Sequence, residues 1–445
     1  MPQQKPVVII VGGGFGGLAA AQALKKAPVE VVLIERNNHH TFQPLLYQVA
    51  TSVLSPGQIA SPIRAILKNS TNTTVLLGEV TGVNAEAHYV VGNSADRTGV
   101  RLPYDYLILA TGVEQNYFGH PEYENYAPGL KGVADAEALR NNILRTFEIA
   151  EAEEDPTRHK NLLTFVLVGA GPTGVEMASA IAVLCRITLK REFRRIDPAS
   201  ARIVLVDRGT RPLASFAPEL SAAAKRRLEK LGVEVRLGQG VDSVDEHGVI
   251  VDGERIWSKT VIWTAGVTAS PAAEWLKTDA DHAGRVRINP DLSIPNHPEI
   301  FVVGDTASLD HDGKPLPGVA QVAIQQGRYA ANLIRHKVSG KPLPGPFRYF
   351  DKGNLAVVGR NFAVLESHKI RLSGYFAWLI WAFVHLQFLG QPGLRLSVFV
   401  QWTWSYLTGQ RGSPLIVNHR STEGTAGEEP AVLPSARSVQ QERAS

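Results

Sequence analysis

Cysteine is almost absent. Cys185 stands alone among 445 residues. That excludes an internal disulfide framework, a CxxC redox pair and any cysteine-built iron–sulfur or zinc site within one chain. Its place on the apolar part of a helix marks it as a small core residue rather than a nucleophile. Hydrophobic runs are short as well. The first, Val7–Val11, has five residues and enters a glycine loop directly. It lacks the length and cleavage site of a secretory leader, and no Arg/Ser-rich transit segment accompanies it. The catalytic body is therefore expected in the cytosol. Neither charge dominates: the net is +4, with −2 in the polar stretch Ser421–Ser445. A mildly basic body suits anionic lipid or acidic cofactors but is too weak to argue for nucleic acid, and no recognition motif supports that reading. The 13 histidines show no ligand spacing, and the adjacent His39 and His40 would face opposite ways on a strand, so no metal is expected.

What is present is glycine placed with purpose. Residues 7–36 and 165–207 repeat one plan: an apolar strand, a glycine turn, a helix and a second strand ending in an acid. The continuous apolar strands predict parallel sheets buried on both faces. The first turn carries Gly12, Gly14 and Gly17, and the second Gly169, Gly171 and Gly174. In each, the first glycine permits the tight turn, the second lets backbone approach a pyrophosphate, and the third allows close helix–strand packing. The helix N-terminus adds free N–H groups and a positive dipole end. Glu35 and Asp207 close the second strands and can accept ribose hydroxyls. An acid there repels a 2′-phosphate, favouring NADH over NADPH at the second site, although Arg208 beside it works the other way. Asp207 lies 38 residues after Gly169. The excess is the basic stretch 186–201, expected to extend the helix and present a solvated face. Two such folds in one chain suggest one dinucleotide passing hydride to another.

Three further stretches follow in order: Ala110-Thr111-Gly112 and Trp263-Thr264-Ala265-Gly266, each after a strand, and Gly304-Asp305. With the two turns, they resemble the two-dinucleotide-binding-domain flavoproteins. That resemblance implies an α/β fold of two Rossmann-like domains, for FAD and NADH. It places Asp305 at the ribityl–pyrophosphate region of non-covalent FAD, with Phe15, Val80, Ala110, Thr111 and Gly112 also on the flavin. Pro172, Thr173, Glu176 and Gly266 fall to NADH. Disulfide reductases and sulfide:quinone oxidoreductases of this superfamily need paired cysteines, which are missing.

The segment 41–50, TFQPLLYQVA, resembles the FxPLLYxVA signature of type II NADH dehydrogenases, the single-subunit NADH:quinone oxidoreductases. Residues 320–327, AQVAIQQG, resemble their AQxAxQxG motif, and 167–178 their NADH-binding segment. The resemblance spans about residues 6–417. It implies quinone reduction near Phe42, Pro44, Tyr47, Gln321 and Gln325, with Gln321 also touching FAD, and Glu176 beside nicotinamide and flavin to orient NADH or deliver a proton. Physical chemistry agrees with the glutamines: four apart, they share a helix face, and neutral amides suit a head group whose carbonyls become hydroxyls.

Four of the seven tryptophans, Trp378, Trp381, Trp402 and Trp404, lie within 27 residues. Tyr375–Leu389 is apolar but 15 residues long, short of the roughly 20 a spanning helix needs. Leu394–Leu407 alternates with period two, which favours a strand; the family resemblance favours a helix, and we take the helix. Flanking Lys369, Arg371, Arg395 and Arg411 suit interfacial docking. A homodimer interface or buried core is the alternative use, and a dimer could present a paired membrane face.

The expected organisation is an FAD-binding domain in two parts (1–115 and 285–341), a connecting segment (116–160), an NADH-binding domain (161–284), a membrane-association region (342–420) and a disordered tail (421–445). The expected function is NADH:quinone oxidoreduction without proton pumping, on the cytoplasmic face of a bacterial membrane. The alternatives are a soluble NAD(P)H-dependent reductase of a protein electron carrier and a redox-sensing NADH/FAD-binding signalling protein.

Overall fold

The computed structural model describes residues 5–311 and 313–417; the tail from Ser421 lies outside them. The first glycine turn is built as expected. Strand β1 (Val7–Val11) leads into helix α1 (Phe15–Leu24) and strand β2 (Glu30–Glu35), which pairs parallel to β1. After the short helix α2 (Leu46–Ala50) come strands β3 (Thr73–Asn84), β4 (Tyr89–Ser94), β5 (Val100–Pro103) and β6 (Tyr106–Leu109). Beyond β6 the chain leaves this sheet through helix α3 (Val133–Ala152).

The second turn joins β7 (Thr164–Val168) to helix α4 (Pro172–Val183), then to β8 (Arg202–Asp207), β9 (Val233–Leu237) and β10 (Thr260–Trp263). These four strands form an all-parallel sheet in the order β9-β8-β7-β10. The chain then returns to the first sheet with β11 (Ser293–Ile294) and β12 (His297–Val302). The completed eight-stranded order is β11-β12-β6-β1-β2-β3-β4-β5. Helix α5 (Ala320–Val338) covers it, resting on α1. Small residues make that close: a Cβ at Gly327 would lie 2.1 Å from the Gly16 carbonyl oxygen.

Two expectations change here. The basic stretch extends the helix only as far as Arg191. After a π turn (Leu184–Thr188) and a 3-10 turn (Leu189–Arg191), it leaves helix, and the Arg194, Arg195 and Ile196 N–H groups donate to the Glu151 carboxylate. The sequence shows positive charge there, whereas the ordering group is an acid more than 40 residues away. Second, the helical run Pro172–Arg191 is long and apolar enough to cross a membrane, although no such segment was expected. Its apolar window is 67% buried inside the protein, so it serves as a core helix.

The C-terminal region is an antiparallel meander, β13 (Asn354–Val357), β14 (Ala363–Ser367) and β15 (Ile370–Gly374), followed by helices α6 (Tyr375–Phe388) and α7 (Pro392–Thr408). The period-two stretch is thus helical. Pro392 in its first turn and Gly409 in the left-handed conformation at its end supply start and stop signals that the alternation obscured.

Candidate active site

The two glycine turns share one electrostatic device. In the first, Gly12 has φ +100° and the Glu35 carboxylate accepts the Gly13 N–H at 2.6 Å. In the second, Gly169 has φ +106° and Asp207 accepts the Ala170 N–H at 2.6 Å. Each acid fixes its turn while keeping lone pairs for ribose hydroxyls. A Cβ at Gly17 would fall 1.9 Å from the Gly12 oxygen, and one at Gly174 1.8 Å from the Gly169 oxygen. Beside Gly14 and Gly171 nothing lies within 4 Å of that position, leaving room for a pyrophosphate at each helix start.

Around the first turn, the Thr111 hydroxyl meets Ser270 at 2.5 Å and Thr306 at 3.1 Å, and Thr306 donates to the Gly112 oxygen at 2.9 Å. The Ala110 carbonyl backs onto Gly12. Val80 is buried in the core beside Val11 and Ile34. Burial holds the Asp305 carboxyl above the usual carboxylate range, against the pull of Lys131 and Arg285. Lys131, itself held low by burial, went unseen in the sequence because β6 and α3 bring it to Asp305 from far along the chain. A half-buried cation near the Gly-Asp carboxylate, open space at Gly14 and an anchored Glu35 fit a dinucleotide diphosphate.

At the second turn, Pro172, Thr173 and Gly266 are exposed. Phe118 lies against Gly266, where a Cβ would meet its ring at 2.4 Å. Sequence reasoning missed this aromatic. Glu176 is buried, its Oε1 accepting the Val357 N–H at 3.3 Å, and burial pushes its carboxyl up to about 8. It raises the pKa of the Tyr47 phenol, for which burial is the larger cause. Cys185 is fully buried and its thiol pushed up to about 12 by desolvation.

Between the folds lies a line of rings. Phe15, the first residue of α1, meets Phe42 edge-on with centroids 6.0 Å apart, and Phe42 meets His385 at 6.1 Å. His385 packs on Trp381 at 4.5 Å, and Trp381 stacks on Trp402 at 5.2 Å. Pro44 opens the 3-10 turn after Phe42. Gln48 donates to the Tyr47 hydroxyl at 2.9 Å and accepts the Trp402 indole N–H at 2.7 Å. His385 was also missed: burial lowers it to about 4, and its Nδ1 donates to the Trp381 carbonyl at 2.7 Å, which leaves Nε2 as the acceptor.

The two glutamines differ. Gln325 is held by the Phe350 backbone, donating to its carbonyl and accepting its N–H, both at 3.0 Å. Gln321, one turn earlier and half-buried, makes no such bond among the described residues. Gln326, unremarked in the sequence, accepts the Gly304 N–H at 2.7 Å and ties α5 to the Gly-Asp turn.

Paired βαβ turns, anchoring acids and a returning Gly-Asp strand define the class. The family model for pyridine nucleotide-disulphide oxidoreductases matches residues 6–327, and the chain belongs to that family. Within it the relation is narrower. The type II NADH:quinone oxidoreductase Ndh of Mycobacterium tuberculosis is 44% identical over 424 residues, covering 93% of this chain and 90% of the relative. The demethylphylloquinone reductase NdbB of Synechocystis is 30% identical, over 84% and 88% of the two chains. The chain is a member of the type II NADH:quinone oxidoreductases. In fold it is similar to NDH2 from Plasmodium falciparum in complex with NADH, with TM-score 0.83 and 22% identity over 91% of this chain and 99% of that one.

Proposed function

We propose that this protein oxidises NADH with FAD and passes the electrons to a quinone drawn from a membrane surface, to which it is peripherally bound. One observation carries the reading. The line Phe15–Phe42–His385–Trp381–Trp402 links the first glycine turn to α6 and α7, and the outer faces of these helices are apolar and exposed. Phe376 and Leu407 are each 75% exposed, with Phe383, Leu396, Phe399 and Val400 beside them. That is a contiguous apolar face of the kind that marks a partner or membrane surface. The tryptophans contribute less to it than the sequence suggested: Trp381 is 2% exposed and Trp404 54%. The stacked tryptophans hold the helices together, while phenylalanine and leucine face outward.

FAD would be held in the two-part domain by the first glycine turn, Glu35, Asp305 and Lys131, and supplies the two-electron relay between NADH and quinone. Around it, the chain's residues position groups and protons. Asp207 and the second turn seat NADH, and Glu176 stays protonated at neutral pH as a donor beside Tyr47. His385 stays neutral and offers Nε2 as a proton acceptor near Phe42. Gln321 supplies a neutral amide for a quinone carbonyl, while Gln325 acts through Phe350. The membrane face would lie on the cytoplasmic side. A homodimer would use the part of α6 and α7 that lipid leaves free.

Vesicle flotation of the holoenzyme with Phe376→Asp and Phe383→Asp tests this. Membrane binding and turnover with a long-tailed quinone should fall at least tenfold, while reduction of a water-soluble quinone analogue is kept. Unchanged flotation would overturn the membrane assignment. Failure of any quinone to reoxidise the flavin would overturn the activity.

A further inference from the structure

An open-mouthed cavity of about 130 Å³ lies between α2, α4 and the C-terminal helices. No residue of α5 lines it, although Tyr47, Trp381 and Trp402 of the aromatic region described above do. The walls are aromatic and aliphatic, among them Tyr47, Ala180, Trp381 and Trp402. The charges among the lining residues are all positive: Arg360 and Arg411 are present and no aspartate or glutamate is.

Arg411 is half-buried. It donates to the Thr51 carbonyl, to the Ala180 carbonyl at 2.9 Å and to the Thr188 hydroxyl at 3.2 Å, none of them an anion. A half-buried guanidinium whose acceptors are all neutral bears part of the desolvation cost of a buried charge. A second group is also unmatched. Trp381 lines the cavity, is 2% exposed, and its indole N–H is buried without an acceptor. Buried tryptophan N–H groups ordinarily find one. Arg360 donates to the Tyr406 carbonyl and lies over the Tyr406 ring at 5.4 Å.

We infer that this cavity binds a single-chain amphipathic anion, a long-chain carboxylate. Its chain would lie among the tryptophans, and its head would accept from the two guanidiniums. A neutral chain would gain the apolar contacts and leave both cations unanswered. The apolar walls and the two positive charges together select this chemistry over a soluble phosphate or a neutral lipid tail.

Native mass spectrometry of the FAD-loaded full chain, mixed with oleate and oleyl alcohol, tests the inference. One oleate per chain should be retained, at least tenfold in preference to the alcohol. Ala180→Leu, which fills the cavity, should abolish retention with FAD content unchanged. Arg360→Gln is independent of that packing change and should cut the preference at least threefold. Equal retention of the alcohol overturns the inference, as does oleate retention unaltered by both Ala180→Leu and Arg360→Gln. Retention of phosphatidylglycerol in place of oleate overturns the carboxylate assignment. Stoichiometric displacement of oleate by a short-tailed quinone would instead make the cavity part of the quinone path.

Discussion

The two nucleotide folds use the same turn and differ in what surrounds it. In the first, the residue after the opening glycine is Gly13. A Cβ there would come within 2.6 Å of Ile63 and 3.2 Å of Glu35, because the excursion after β2 folds back over the turn. In the second, the corresponding residue is Ala170, whose carbonyl accepts the Leu213 N–H at 2.8 Å. The first helix is pressed backbone to backbone against α5; the second carries a buried acid, Glu176, near its start, beside the C-terminal meander. The first turn is closed over, as suits a cofactor that stays. The second leaves Pro172, Thr173 and Gly266 exposed, as suits a substrate that comes and goes.

Seven variants would break or sharpen that contrast. The largest effect is expected from the third glycines. Gly17→Ala forces its Cβ against the Gly12 carbonyl, an overpacking cost of about 1–3 kcal/mol or more, and should yield protein without the flavin absorbance band. Gly174→Ala should keep that band and raise KM for NADH at least tenfold, about 1.4 kcal/mol. Loss of flavin from the second variant would show that the folds are not independent.

Next comes Glu176→Gln. The folded carboxyl titrates near 8 against an ordinary 4.5. Between those values the unfolded chain releases a proton that the folded protein keeps. The stability contribution of Glu176 therefore falls as pH rises through this window and levels above it. The neutral amide removes the slope. The Tm of the variant relative to the parent should climb by roughly 2–6 °C between pH 5 and pH 8, while NADH turnover falls. A pH-independent difference in Tm would mean that Glu176 is already ionised.

Asp207→Asn should lower the NADH/NADPH ratio of kcat/KM about tenfold, about 1.4 kcal/mol, whereas Glu35→Gln should leave that ratio untouched. The smallest effect belongs to Ala170→Gly. It should change KM for NADH less than twofold and cost about 0.5–1 kcal/mol of stability, as read by urea unfolding. The reverse exchange, Gly13→Ala, should release flavin.

Much of this was legible in the sequence because it is local. An apolar strand, three glycines and an acid lie within one βαβ unit, and both units form as their residues dictate. The C-terminal aromatics were legible as composition but not as geometry. Burial separates Trp381 from Trp404, and period-two spacing pointed away from α7, which only the family resemblance identified as a helix. Lys131, His385 and Arg411 were not legible as site residues. Each owes its environment to segments far along the chain: Asp305 for the first, Phe42 for the second, Thr51 and Ala180 for the third. Gln325 shows the reverse case, since its motif was visible and its bond to Phe350 was not.

Strand β6 is complete by Leu109, yet its outer neighbour β12 begins at His297 and the covering helix α5 ends at Val338. During synthesis, the whole NADH sheet emerges before the flavin domain can close. At the ribosome's pace of about 5–20 residues per second, the unfinished edge of β6 waits roughly 10 to 40 seconds for its partner. Cofactor capture is thereby a late event in the making of this protein, and the early domain is the one that needs no resident cofactor.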